Sequence, residues 1–513
     1  MTTANRIIKN TGFLYAKMGI TIFFNLYTTR LILNALGTND FGVYHIVGGA
    51  IAMLGFINMA MAAATQRFMS YSAGENNIEK QKVIFNVSMI LHFILAIIIV
   101  ILLSVAGYFF FNGILNLPPE RIFASKIVYG SLIISTMFTI ITVPYDAIMN
   151  AHENMKYYAI ISIFEAFLKL IVAIVVVYTT IDKLIVYGIL MALIPIITMN
   201  IMRIYCHRNY EECVFNPKSY FNQKQMKEMT SFTGWNMVGT MSNMIGNHGN
   251  SIVANHFWGV TINAALGIVG QLTGQLMSFS YNMMKALNPV IVKAEGASNR
   301  KGMLLYSYIG CKFPFYMFSF FAIPICIEAP FILNIWLKHV PEWTILFFRL
   351  QMVRTLIELL TFGLTTSISA VGKIKEWNMS NIFTHLFPLV ILYILFSFEY
   401  PPYWLFIITI SFCAIISGVI KMLICKIYCD LNILEFIHKV LLPSIICLTA
   451  TYMIASLPSI YMNEGWIRLI ATISLFIASF LLFIYRIGLN TNERNMINAF
   501  IIKLKHKILN FQI

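Results

Sequence analysis

Residues 28–44 read TTRLILNALGTNDFGVY, an apolar run that carries Arg30 and ends in Gly37, Asp40 and Gly42. The run belongs to a chain of 513 residues that is 59% hydrophobic and only 11% charged, with a mean hydropathy of +0.76. A soluble core does not need that much apolar surface; repeated stretches of roughly 20 apolar residues crossing a bilayer do. Fourteen such spans are expected, at about 12–36, 43–66, 84–111, 124–149, 157–181, 184–205, 230–256, 262–288, 303–327, 344–370, 377–398, 403–425, 440–458 and 466–487. They are too long and too evenly apolar for barrel strands, and backbone in lipid must satisfy its own hydrogen bonds, so the fold class is an all-α polytopic membrane protein.

Basic residues near short loops stay on the cytoplasmic side. With the N-terminus inside, 24 of the 36 basic residues fall on that side, among them Arg67, Lys80, Lys156, Arg203, Lys293, Lys373, Lys421 and the tail residues Lys503, Lys505 and Lys507. Arg121, Lys126, Lys183, Lys338 and Arg468 fall opposite, so both termini are expected in the cytoplasm and the net charge of +15 reflects topology and anionic lipid rather than nucleic acid. The first apolar run is too long for a cleavable signal and reads as the first helix. Cys206 and Cys213 in CHRNYEEC, with one His, are too few for a metal site, and no metal or cofactor is expected.

The chain also matches itself at an offset of 222: Gly37 falls on Gly259, Asn25 on Asn247, Gly74 on Gly296, Asn77 on Asn299, Leu115 on Leu337, and Pro119 and Glu120 on Pro341 and Glu342. After a three-residue slip the register continues at 219, with Lys156 on Lys375 and Phe164 on Phe383. Six spans per unit imply two halves of the same orientation, related by an axis along the membrane normal. The expected organisation is a first bundle at 1–205, a cytoplasmic linker at 206–227, a second bundle at 228–429, and two appended helices with a basic tail at 430–513. Gly37 is repeated and reads as a turn between spans; Arg30 is not, its counterpart being Ile252.

A charge inside a span costs roughly 2.5–3.5 kcal/mol on insertion scales, so each is a functional candidate. The basic ones are Lys17, Arg30, Lys169, Lys285, Lys312, Arg349 and Arg354; the acids at similar depth are Glu165 and Glu358, with Asp146 and Glu328 near span ends. Glu165 with Lys169, and Arg354 with Glu358, are i,i+4 pairs that share a helix face. In the seventh span Asn236, Thr240, Asn243, Asn247 and Asn250 fall within a sector of about 80°, and Lys17, Thr21, Asn25 and Thr28 do the same in the first. Such stripes suit a wet cavity: amides and hydroxyls for sugar, unpaired cations for phosphate. The expected cavity residues are Lys17, Asn25, Arg30, Lys169, Asn243, Asn247, Lys312 and Arg354, with Glu165 and Glu358 as ion-coupling candidates and no catalytic residue.

The stretch TTRLILNALGTNDFGVYHIVGG, ATQRF at 64–68, PFILNIWL at 330–337 and the six-plus-six-plus-two layout resemble the bacterial polysaccharide (O-antigen type) flippases of the multidrug/oligosaccharidyl-lipid/polysaccharide exporter superfamily. The resemblance covers essentially the whole chain. It implies two six-helix bundles in a V that alternates between inward and outward openings in the bacterial inner membrane. The cargo it implies is a polyprenyl-diphosphate-linked oligosaccharide, with membrane lipid and glycan-assembly proteins such as a polymerase as partners and no nucleic acid. Lipid II flippases are similar but carry an arginine nine positions before the glycine matching Gly37, where this chain has Thr28. A cation-coupled drug antiporter of the same superfamily would need buried carboxylates, and spans 1 and 7 contain none; a membrane enzyme would need acid clusters in loops that are short here.

Overall fold

The computed structural model describes residues 3–491, apart from 53, 115–117 and 338, together with 493–495 and 498. Leu115, Lys338, Lys503, Lys505 and Lys507 lie outside the described residues. Every regular element among the described residues is helical. The first half runs α1 (Thr3–Ala52), α2 (Gly55–Gly74), α3 (Ile78–Phe109), α4 (Ile122–Ala151), α5 (Met155–Tyr178) and α6 (Lys183–Asn209), followed by a short α7 (Pro217–Tyr220). The second runs α8 (Gln223–Gly296), α9 (Arg300–Ile327), α10 (Ala329–Leu337), α11 (Thr344–Leu359), α12 (Phe362–Val371), α13 (Ile374–Ser397), α14 (Trp404–Thr409) and α15 (Ser417–Tyr428). After α16 (Ile433–Phe436) come α17 (Leu442–Ala455), α18 (Leu457–Tyr461) and α19 (Trp466–Phe483). Nine helical stretches among the described residues are long and apolar enough to cross a membrane. They match the third to sixth, ninth and eleventh to fourteenth expected spans; α1 and α8, which carry the polar stripes, and α2 are not among them, and α11 and α12 are individually too short.

Gly37 answers the opening stretch. It interrupts α1 at φ 75°, ψ 172°, and Gly259 interrupts α8 at φ 74°, ψ −169°. Only glycine populates this region freely, so each long element is two helices joined at a corner that disfavours any side chain.

The duplication extends to element boundaries. α3 and α9 start at Ile78 and Arg300, α4 and α11 at Ile122 and Thr344, all 222 apart, while α5 and α13 share both ends at 219. Asn77 and Asn299 each cap the helix that follows, accepting from Lys80 and Gly302 amides at 2.9 Å. The left-handed positions repeat as well: Asn76 with Ser298, and Glu153 with Gly372.

Two compact units result: Asn10–Met237 with Val292–Ser298, and Met1–Lys9 with Val238–Ile291 and Asn299–Ile513. The first buries Val47, Ile99, Val128, Ile140 and Leu184 in one cluster and Val172, Tyr187 and Ile194 in another. The second buries a more aromatic core built on Phe315, Phe318, Phe347, Phe348 and Phe476. At the loop ends beside Gly37, Arg121 grips Asp40, with its Nε 2.8 Å from Oδ1, and donates from Nη1 to Asp182 at 2.7 Å. The repeat-related positions in the second half are Ile262, Trp343 and Pro401, so the charged clasp is not repeated there; Ile262 and Trp343 belong to that half's hydrophobic core.

Burial pushes the Asp182 carboxyl up, but hydrogen bonds from Arg121 and the Ile185 and Leu184 amides outweigh it and hold Asp182 below the usual range. A depressed carboxylate stabilises the fold above its unfolded pKa, and that contribution is lost as pH falls through the folded value. Between about pH 5 and pH 3 the wild type should therefore lose more thermal stability than Asp182→Asn. Melting curves in detergent check this; parallel losses would mean that the clasp carries no pH dependence.

Candidate functional site

The three-residue slip of the repeat falls in the fourth span of each half. α4 is continuous, but its counterpart breaks at Leu360 and Thr361, between α11 and α12. Removing three residues, slightly less than one turn, rotates whatever follows by about 60°, and the break absorbs that rotation. Arg354 and Glu358 stand in the last turns before it. The Arg354 Nε donates to Glu358 Oε1 at 2.9 Å, as their spacing predicts.

Other helices of the same unit complete the cluster. Lys421 of α15 is 7% exposed; its Nζ points to Thr361 Oγ1 at 3.4 Å, lies 5.1 Å from the centre of the Trp377 ring and feels the Glu358 charge. His385 of α13 feels both Arg354 and Lys421, and its Nε2 accepts from the Asn243 side-chain amide at 3.0 Å. Asn247 in turn donates to Asn243 Oδ1 at 2.8 Å. A Cβ at Gly246 would stand 2.8 Å from the His385 carbonyl oxygen, so glycine permits the approach of α8 to α13 that puts Asn243 beside His385. In the first half Leu132, Thr136, Ala166 and Met202 occupy the positions of Arg354, Glu358, His385 and Lys421.

The first unit has a smaller polar group. Lys17 of α1 sits 4.8 Å from the centre of the Tyr158 ring, and Glu165 and Lys169 pair at 2.7 Å along α5. Tyr158 and Trp377 are repeat partners, so each half places a lysine over the same aromatic position, brought by a different helix. Asn25 and Arg30 are exposed on α1, and neither joins the Lys17 contact or the Glu165–Lys169 pair.

Two residues stand elsewhere than the sequence suggests. Lys312, expected to line the cavity, is 1% exposed and bonded to Glu493 Oε2 at 2.6 Å, because the segment after α19 folds back onto α9. Lys421, read as an inner-side flanking charge, is inside the second unit; the signal was its place within the twelfth apolar span, at 403–425. His385 and Trp377 carried no signal, since a single His or Trp in an apolar run is ordinarily packing.

Residues 17–175 match the family model described as MatE. No curated protein matches the chain. Among solved structures, MATE in the bent conformation superposes with a TM-score of 0.74 at 13% identity, covering 84% of this chain and 96% of that one. The fold is that of the MATE transporters. An outward-facing multidrug resistance MATE family transporter of the MOP superfamily gives 0.70 at 14% identity, and a MOP superfamily transporter from Pyrococcus furiosus Vc1 (DSM3638) gives 0.70 at 13%; each comparison covers 84% of this chain and 96% of the other. With nine helical stretches among the described residues long and apolar enough to cross a membrane, the chain is a multi-pass membrane protein with the MATE fold.

Proposed function

We propose that the protein is a flippase of the bacterial inner membrane that carries a polyprenyl-diphosphate-linked oligosaccharide from the cytoplasmic to the periplasmic leaflet by alternating access, with both termini in the cytoplasm. The observation that carries this reading is the sign of the charge within the helices. The second unit sets Arg354 and Lys421 against Glu358, and the first sets Lys17 and Lys169 against Glu165, so each group has a cation to spare for an anion. A diphosphate accepts hydrogen bonds from guanidinium and ammonium, while Asn243, Asn247 and Asn25 offer amides to sugar hydroxyls. Glu358, already between two cations, is the candidate for ion coupling in the second unit, and Glu165 in the first. Arg30 serves as an outer contact for the substrate's charged group.

The second reading, a cation-coupled drug antiporter, is favoured by the multidrug resistance transporter among the similar folds. The Pyrococcus furiosus transporter of this fold is described by a binding pocket of reverse polarity that suggests a different function, so pocket polarity is the property to test. In proteoliposomes, wild-type protein should translocate polyprenyl-diphosphate oligosaccharide, and Arg354→Gln and Lys421→Met should each lower the rate about tenfold or more at equal insertion, the loss of roughly one charge-assisted contact. Export of a lipophilic cation by the wild type, with no movement of the glycan lipid, would replace this reading by the antiporter.

A further inference from the structure

α4 ends in a helix-terminating turn in which the Glu153 amide donates to the Asn150 carbonyl and the Asn154 amide to the Met149 carbonyl, both at 2.9 Å. The same turn ends α12: the Gly372 amide donates to Ser369 at 3.0 Å and the Lys373 amide to Ile368 at 3.1 Å. All four residues correspond at 219. The turn demands a left-handed residue, and glycine fills it in the second half at φ 85°. In the first half Glu153 takes it at φ 56°, a conformation that a side chain with a Cβ adopts against resistance. Strain of this kind persists where the side chain has a task.

Glu153 is 4% exposed and accepts from Lys293 Nζ at 3.1 Å. Lys293 lies in Val292–Ser298, the end of α8 that packs within the first unit. There the ends of α2 and α8 meet at repeat-related glycines. A Cβ at Gly74 would overlap the Lys293 carbonyl oxygen, one at Gly296 would overlap the Tyr71 carbonyl oxygen, and Tyr71 and Lys293 are themselves repeat partners. The contact is reciprocal, and its closest approaches are made by backbone. The groups around it are charged: Arg67 feels Glu228, Glu295 and Glu75. At the repeat-related positions Gly372 and Tyr71 carry no charge, so the pair is one-sided.

We propose that Glu153 and Lys293 form a latch that holds the end of α8 against the ends of α2 and α4, and that it releases each time the transporter opens at this face. The proposal rests on alternating access and not on the identity of the substrate. Spin labels on cysteines introduced at Ile78 and Ala297, both exposed, report the separation in full-length protein in nanodiscs; the native cysteines are buried or half-buried. Glu153→Gly and Lys293→Ala should each raise the separated population about fivefold or more, and the exchange Glu153→Lys with Lys293→Glu should return it to the wild-type value. Glu153→Gly should melt no lower than the wild type, because glycine suits the turn. Unchanged distances in both single variants would overturn the latch. A lower melting temperature for Glu153→Gly without separation would mark the pair as structural only. Loss of glycan transport with a working latch, or the reverse, separates this proposal from the substrate assignment.

Discussion

Lys312→Ala should destabilise the protein by about 3–5 kcal/mol, the usual cost of removing one member of a buried ion pair. Lys312 and Glu493 are 1% and 4% exposed and 2.6 Å apart. The same Glu493 carboxylate accepts from the Asn490 amide at 2.8 Å, and Asn490 Oδ1 accepts from the Glu493 amide at 2.9 Å, a reciprocal cap that fixes the carboxylate before Lys312 reaches it. Nearby the Tyr316 hydroxyl donates to the Gly488 carbonyl at 3.3 Å. Without Lys312 the buried carboxylate keeps only the Asn490 amide and loses its counter-charge, and the segment after α19 should detach from α9. Thermal melts in detergent and protease sensitivity beyond residue 488 measure this. Lys312→Met combined with Glu493→Leu should recover most of the loss, since an apolar pair of similar volume replaces a buried ion pair at little cost. If Lys312→Ala abolished transport while leaving the melt unchanged, Lys312 would belong to the cavity after all.

Arg468→Ala should cost a comparable amount, about 3–5 kcal/mol. Arg468, which reads in the sequence as an outer-loop charge, donates through Nε and Nη2 to Glu328 Oε2 at 3.0 and 2.8 Å, and Thr472 donates to Oε1 at 2.8 Å. Glu328 is fully buried just after α9, so truncating the arginine leaves a carboxylate with one hydroxyl for company. Glu328→Gln should be milder, because the amide oxygen still accepts from Arg468, the amide NH2 can donate to the Thr472 hydroxyl, and no negative charge remains buried. The check is the pair of melting temperatures: equal losses for Arg468→Ala and Glu328→Gln would mean that shape rather than charge holds α19 to α9.

These two pairs show which part of the site was legible. Glu165–Lys169 and Arg354–Glu358 were readable because an i,i+4 spacing decides the contact within one helix, whatever surrounds it. Lys312 was misplaced because nothing near it in sequence reveals Glu493, 181 residues away. The Asn243 stripe was visible as a helical face, but its partner His385 is 142 residues distant and has no acidic or basic neighbour on its own turn to mark it.

By itself, then, the sequence determined what depends on a few consecutive residues: apolar runs that become helices in lipid, the duplication, the glycine corners at 37 and 259, and the pairs one turn apart. Backbone sterics and helical periodicity act over that range, so no knowledge of packing is required. Only the tertiary structure decided which charges remain available. It buried Lys312 and Arg468 against distant carboxylates, drew Lys421 over Trp377, and set a strained Glu153 against Lys293. Each of those outcomes turns on which helices touch and at what rotation, and a charge in an apolar run looks the same in sequence whether its partner is a carboxylate, an aromatic face or a substrate.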